Sequence, residues 1–151
     1  MARIVLLDAG VIGLLVSDPH LPAVAHGIAW LGDLAGRADV TIPDVAAFEV
    51  RRELLRIGAS RKLSNLASLR ARLLRAEVTE DAWIKAAEFW ALVRRAGKPT
   101  ANPEALDADA ILAGVAATLG MPGDDVVIAT TNVRHLTRFP GIDAREWRAV
   151  R

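Results

Sequence analysis

Short apolar runs without alternation punctuate this chain: Ile4-Val5-Leu6-Leu7, Val40-Thr41-Ile42 and Val126-Val127-Ile128-Ala129. Strands covered on both faces have this composition. Between the runs, apolar positions recur at helical spacing. Val24, Ile28, Leu31 and Leu34 predict a helix from Pro22 to about Ala35, stopped by Gly36. Residues 11–16 read as a short helix or turn closed by Ser17-Asp18-Pro19-His20. Pro43-Asp44 opens a helix carrying Val45, Phe48, Leu54, Leu55 and Ile57, ended by Gly58. Ser60 to Ala76 is predicted as the next helix, with Leu63, Leu66, Leu69, Leu73 and Leu74 as its apolar stripe. Glu77-Val78-Thr79 reads as a short strand, with Thr79 capping a helix from Glu80 to Ala96. Gly97-Lys98-Pro99 breaks that helix and Thr100 to Pro103 forms a loop. A last long helix runs from near Asp107 to Leu119, and Trp147 to Val150 reads as an edge strand. Strands alternating with helices predict a three-layer α/β/α sandwich around a mainly parallel sheet of four to five strands. Residues 1–151 form one domain, with no internal repeat and no dividing linker.

Composition narrows the picture by exclusion. With 52% hydrophobic and 25% charged residues the chain is ordinary for a globular domain. Cysteine is absent, which rules out disulfides, thiolate metal sites and a cysteine nucleophile, and is compatible with a cytoplasmic protein. The N-terminal apolar run is interrupted by Asp8, too short to span a membrane and unlike a secretory signal. The net charge of +1 carries no message, but its distribution does. From Arg51 to Arg75, eight basic residues face the single acid Glu53. Such a local excess attracts phosphate even on a nearly neutral protein, although a solvated helix face accounts for any one arginine equally well.

Acids stand where the predicted strands end. Asp8 follows the first strand, Glu49 lies early in the helix after the second, and Asp109 heads the helix before the fourth, with Asp107 beside it. Asn132 follows the fourth strand. In an open parallel sheet the carboxyl ends of the strands are where ligands gather. Two carboxylates about 4 Å apart repel by on the order of 4 kcal/mol at an effective dielectric of ~20. A hard divalent cation, Mg²⁺ or Mn²⁺, resolves that conflict through oxygen ligands. Asp107 joins Asp109 only from a cap position, since residues two apart on a helix point to nearly opposite sides.

Four segments carry a resemblance to a known family: Val5-Leu6-Leu7-Asp8, Phe48-Glu49-Val50-Arg51-Arg52-Glu53-Leu54, Asp109-Ala110-Ile111-Leu112-Ala113-Gly114-Val115-Ala116 and Thr130-Thr131-Asn132-Val133-Arg134-His135. In order, spacing and context they resemble the PIN domains, most closely the VapC-type toxin ribonucleases, over nearly the whole chain. The resemblance implies a metal-dependent endoribonuclease with RNA as substrate, a small antitoxin as partner and a homodimeric state. Its acids carry over to Asp8, Glu49 and Asp109, with Asp107 and Asn132 assisting at the metal. Relatives commonly place an aspartate where this chain has Asn132, or three residues on at His135. An amide oxygen binds metal without charge, which puts a second ion in doubt. Arg51 and Arg52 are candidates for positioning the RNA by phosphate contacts.

Plainer readings stand beside these. Asp8 caps the turn at Ala9-Gly10; Glu49 has a same-face rival in Glu53, and either pairs with Arg52 or Arg56. Asp109 is a favourable first-turn anion and Asp107 an N-cap. Thr130 and Thr131 either end the strand through backbone bonds or position water. The four tryptophans read as packing or subunit-contact residues, and His135 has no partners for a zinc site. A non-catalytic RNA- or protein-binding module is the alternative function, motivated by the missing fourth acid. A phospho-acceptor built around Asp8 ranks below both, because Asp8-Ala9-Gly10 lacks a second aspartate and no P-loop is present.

Overall fold

A computed structural model describes residues 1–97 and 103–151 of the chain. Strand β1 (Arg3–Leu7) lies at the centre of a five-stranded parallel sheet, flanked by β2 (Asp39–Pro43) and β4 (Asp125–Thr130). Short strands β3 (Leu74–Ala76) and β5 (Ala144–Glu146) form the edges, giving the order β3-β2-β1-β4-β5. Successive residues of the central strands serve different cores, so no position is left for a polar alternation. Val5, Leu7, Val127 and Ala129 face one apolar cluster, whereas Leu6 and Ile128 face the other.

The first cluster is covered by α1 (Ala9–Leu15), α2 (Pro22–Ala35), α3 (Asp44–Arg56) and α4 (Ser60–Arg72). The second is covered by α5 (Glu80–Arg95), α6 (Pro103–Thr118) and α7 (Val133–Thr137). The three-layer architecture expected from the sequence is therefore present. Thr79 caps α5 as expected, its hydroxyl accepting from the Ala82 amide at 3.2 Å. Helices α5 and α6 approach at Gly114, where a Cβ would overlap the Ala82 carbonyl oxygen on the facing helix. Trp30 and Trp147 meet edge to face at 5.3 Å, and the Trp30 Nε1–H donates to the Val150 carbonyl at 2.8 Å.

Several boundaries differ from the sequence expectation. Helix α4 stops at Arg72, because Leu73 turns extended (φ −107°, ψ 161°) and feeds β3. The third strand is Leu74–Ala76, and residues 77–79 belong to the connection into α5. The final strand is Ala144–Glu146, whereas Trp147–Ala149 is a 3-10 turn that buries Trp147. Helix α6 starts at Pro103 rather than near Asp107, with proline at the helix start where its missing N–H costs nothing. Of the segment expected as a break and loop, residues 98–102 lie outside the described residues. Ile28, Phe48, Leu55, Ile57 and Leu74 share the helical spacing of apolar stripe positions but are exposed. Among the described residues no helix is long and apolar enough to cross a membrane.

Candidate metal centre at the sheet switch point

The chain crosses from one half of the sheet to the other between β1 and β4, the neighbours that are far apart in sequence. At such a switch point the loops leaving two parallel strands part and open a crevice at their carboxyl ends. Asp8 stands at the end of β1, where its amide continues the ladder by donating to the Ala129 carbonyl at 3.0 Å. Its side chain has two partners. Oδ1 accepts from the Ala9 amide at 2.7 Å and caps α1, and Oδ2 accepts from the Thr130 hydroxyl at 2.6 Å. The capping role and a place at the site are thus both met by one carboxylate. Thr130 is fully buried, and its Oγ1 also accepts from the Asn132 amide at 2.9 Å, tying the ends of β1 and β4 together. Gly10 permits this closeness, since a Cβ there would overlap the Thr131 hydroxyl.

Glu49 on α3 and Asp109 on α6 lie close enough to Asp8 for its charge to act on both. Burial pushes the Glu49 carboxyl above its ordinary range, the Asp8 charge adds to the rise and Arg52 opposes it. Asp109 is pushed up to about 7, first by burial and then by Asp8, with Glu49 adding to it and Arg138 working against it. Glu49 and Asp109 therefore both feel the Asp8 charge. Glu53, the rival of Glu49, is instead occupied on the surface by Arg56, whose Nε donates at 2.9 Å. That bond holds the Glu53 carboxyl below its usual range.

The remaining candidates lie around this trio. Asp107 sits a full turn inside α6, so its N-cap reading is overturned along with the helix start. It is exposed and lines a cleft with Phe48, Glu49, Arg52 and Trp83. Asn132 is exposed at the N-cap of α7 and makes no side-chain capping bond. Arg52 lies over the Phe48 ring at 5.3 Å beside Glu49, while Arg51, about 100° around the helix, is half-buried. Trp83 and Trp90 are exposed at this cleft and its extension, so the core-packing reading fails for them. Of the basic stretch, Arg56, Arg70 and Arg75 are tied to Glu53 or Asp44.

One residue of the site has no signal in the sequence. Arg138, at the C-cap of α7, donates through Nη2 to Asp109 Oδ2 at 3.1 Å with both side chains mostly buried. His135 Nδ1 lies 3.5 Å from the same oxygen. With Asp109 turned to Arg138 and both Asp8 oxygens occupied, no three His, Asp or Glu side chains among the described residues are set to close on one ion. The donor chemistry nevertheless fits a hard cation: three carboxylates, mutually repelling, in a crevice that raises the protonation of two of them.

No protein-family model matches the chain, and no curated protein matches it either. Solved structures do match. A chain of the DNA-bound VapBC complex from Salmonella typhimurium is similar at TM-score 0.75 and 22% identity, covering 97% of this chain and 99% of its own. A chain of VapBC-1 from nontypeable Haemophilus influenzae is similar at TM-score 0.70 and 15% identity, with 97% and 99% covered. VapC20 of Mycobacterium tuberculosis, a Sarcin-Ricin loop cleaving toxin, is similar at TM-score 0.60 and 17% identity, with 89% and 95% covered. The likeness at these identities is one of fold, and it extends over nearly the whole of each chain. The chain has the VapC-like α/β fold that the four motifs implied.

Proposed function

We propose that this chain is a divalent-cation-dependent endoribonuclease, the toxin member of a cytoplasmic toxin–antitoxin pair. The observation that carries the reading is the coupling of Asp8, Glu49 and Asp109 at the switch point. Perturbed carboxylates collected in a crevice mark functional sites more often than structural ones. The fold supports it too, since similar chains come from VapBC complexes and from a Sarcin-Ricin loop cleaving toxin.

Asp8, Glu49 and Asp109 would hold Mg²⁺ or Mn²⁺, with Asn132 and Asp107 as neutral and outer contributors. Bound there, the cation supplies an activated water and offsets charge on the phosphate. The protein's own part is positional. Thr130 fixes the Asp8 rotamer from a buried hydroxyl, and Asp8 in turn fixes the start of α1. Arg52, exposed beside Glu49 at the cleft, would contact an RNA phosphate, giving affinity without reading sequence. A small antitoxin partner and a homodimer belong to the same reading.

A second reading keeps the fold for binding alone. Neutral Asn132 and an Asp109 already engaged by Arg138 favour it. One experiment separates the two: cleavage of structured and single-stranded RNA with Mg²⁺, with Mn²⁺ and with chelator. The nuclease reading expects cation-dependent products and a loss of about 100-fold or more in Asp8→Ala. Equal residual activity in wild type and Asp8→Ala would sink it. RNA binding without products under any cation is the result the second reading expects.

A further inference from the structure

We infer that Arg138 is a resident counter-ion of the metal centre: it holds Asp109 when no cation is bound, and an incoming divalent ion displaces it. The inference rests on the proposed metal centre and adds a residue that sets how tightly that centre binds. Arg138 faces Asp109 from α7, a helix on the opposite side of the acid from Asp8 and Glu49 in sequence, and makes one charged hydrogen bond to it at 3.1 Å. The guanidinium is mostly enclosed, lies over the Phe139 ring at 5.3 Å, and has its Nε buried with no hydrogen-bond partner. Enclosure of this kind prevents the arginine from leaving for solvent at no cost, so its charge stays within reach of the acids in both states. A guanidinium and a divalent ion competing for one Asp109 oxygen repel each other at short range, where screening by salt is weak.

Removing the guanidinium therefore changes two properties in opposite directions. Among the described residues the cation-free protein loses the one basic group hydrogen-bonded to Asp109, leaving only His135 at 3.5 Å from the same oxygen, and becomes less stable. The divalent ion loses its competitor and binds more tightly. A purely structural arginine would produce the first change without the second. This contrast makes the role testable apart from catalysis.

The test is calorimetric titration of Mn²⁺ into wild type, Arg138→Gln and Arg138→Lys, with melting temperatures measured with and without the ion. The expected result is Mn²⁺ binding about tenfold tighter in Arg138→Gln, near wild type in Arg138→Lys, and a larger gain in melting temperature on adding Mn²⁺ to the Gln variant. Unchanged or weaker binding in Arg138→Gln overturns the role. If wild type binds no Mn²⁺, the metal reading fails by itself; binding acquired by Arg138→Gln would still support the counter-ion, and none in either would overturn both. Should the Gln variant not fold, the wild-type protein supplies the readout through the proton and nitrogen resonances of the Arg138 guanidinium, whose Nη2 donates to Asp109. Saturating Mg²⁺ shifts them if Asp109 leaves the guanidinium, and resonances that stay in place under saturation overturn the displacement.

Discussion

Two aspartates of this protein are each gripped by arginine, and their surroundings differ in a way that separates structure from chemistry. Asp44 opens α3, in the first turn where a helix favours negative charge. It receives Arg70 at 3.2 Å and Arg75 at 3.1 Å, so two guanidiniums and a helix terminus oppose a single carboxylate. Asp109 lies within α6, has one guanidinium at 3.1 Å, and faces Asp8 and Glu49. Compensation is complete at the first site and deficient at the second. The deficient one lies at the sheet switch point, where a ligand has room to supply the missing positive charge.

The contrast is broken most sharply by activity. Asp109→Asn removes a charge from the proposed metal centre and is expected to lower cation-dependent RNA cleavage by about 100-fold or more. Asp44→Asn is expected to leave that rate within about threefold, since its contacts tie α3 to α4 and β3 rather than to the acids. Comparable losses in the two variants, measured on the same RNA, would erase the distinction.

A second prediction concerns pH in the absence of divalent ions. The folded protein raises Asp109 from the ordinary 3.8 to about 7, so between those values the folded state holds a proton that the unfolded chain has released. Its contribution to stability is thus fully present below about pH 4 and is lost as pH rises towards 7. The loss is on the order of 4 kcal/mol. Denaturant unfolding of wild type and Asp109→Asn in chelator, from pH 4 to 8, checks it: the advantage of the variant should grow with pH. A constant difference across that range contradicts the coupling.

The sequence carried the sheet centre and the acids for the same reason. Strands buried on both faces are unbroken apolar runs, and a lone aspartate directly after one is conspicuous, as at Leu7-Asp8. Edges were harder. Leucines 73 and 74 fit the helical stripe of α4, yet the chain turns extended at Leu73 to pair with β2, an event decided by tertiary contact. Trp147 looked like strand because it is apolar, whereas the strand is the more polar Ala144–Glu146 held by β4. Helix α6 begins one turn before its acids, which moved Asp107 from a cap to an exposed wall of the cleft. Arg138 was illegible for another reason: its role exists only through the approach of α7 to α6, and nothing in the residues around it distinguishes it from other arginines. Aromatic exposure at Phe48 and Trp83 was hidden likewise, because spacing identifies a stripe but not what covers it.

The smallest expected effect sharpens the comparison from the structural side. Asp44→Asn should cost about 1–2 kcal/mol of stability, because it weakens a first-turn helix interaction and two ion pairs that are only partly shielded from water. Arg70 is the better shielded partner, bonded through Nη2 while its buried Nε has no hydrogen-bond partner, whereas Arg75 is exposed by more than half. In the Asp44→Asn background, Arg70→Met should therefore recover part of the loss by removing an uncompensated charge, and Arg75→Met should change little. Added salt should narrow the gap between wild type and Asp44→Asn, since exposed pairs are screened. Denaturant midpoints at low and high ionic strength read both effects. A loss that salt leaves untouched, and that Arg70→Met does not relieve, would show that Asp44 acts through local helix geometry instead of through its arginines.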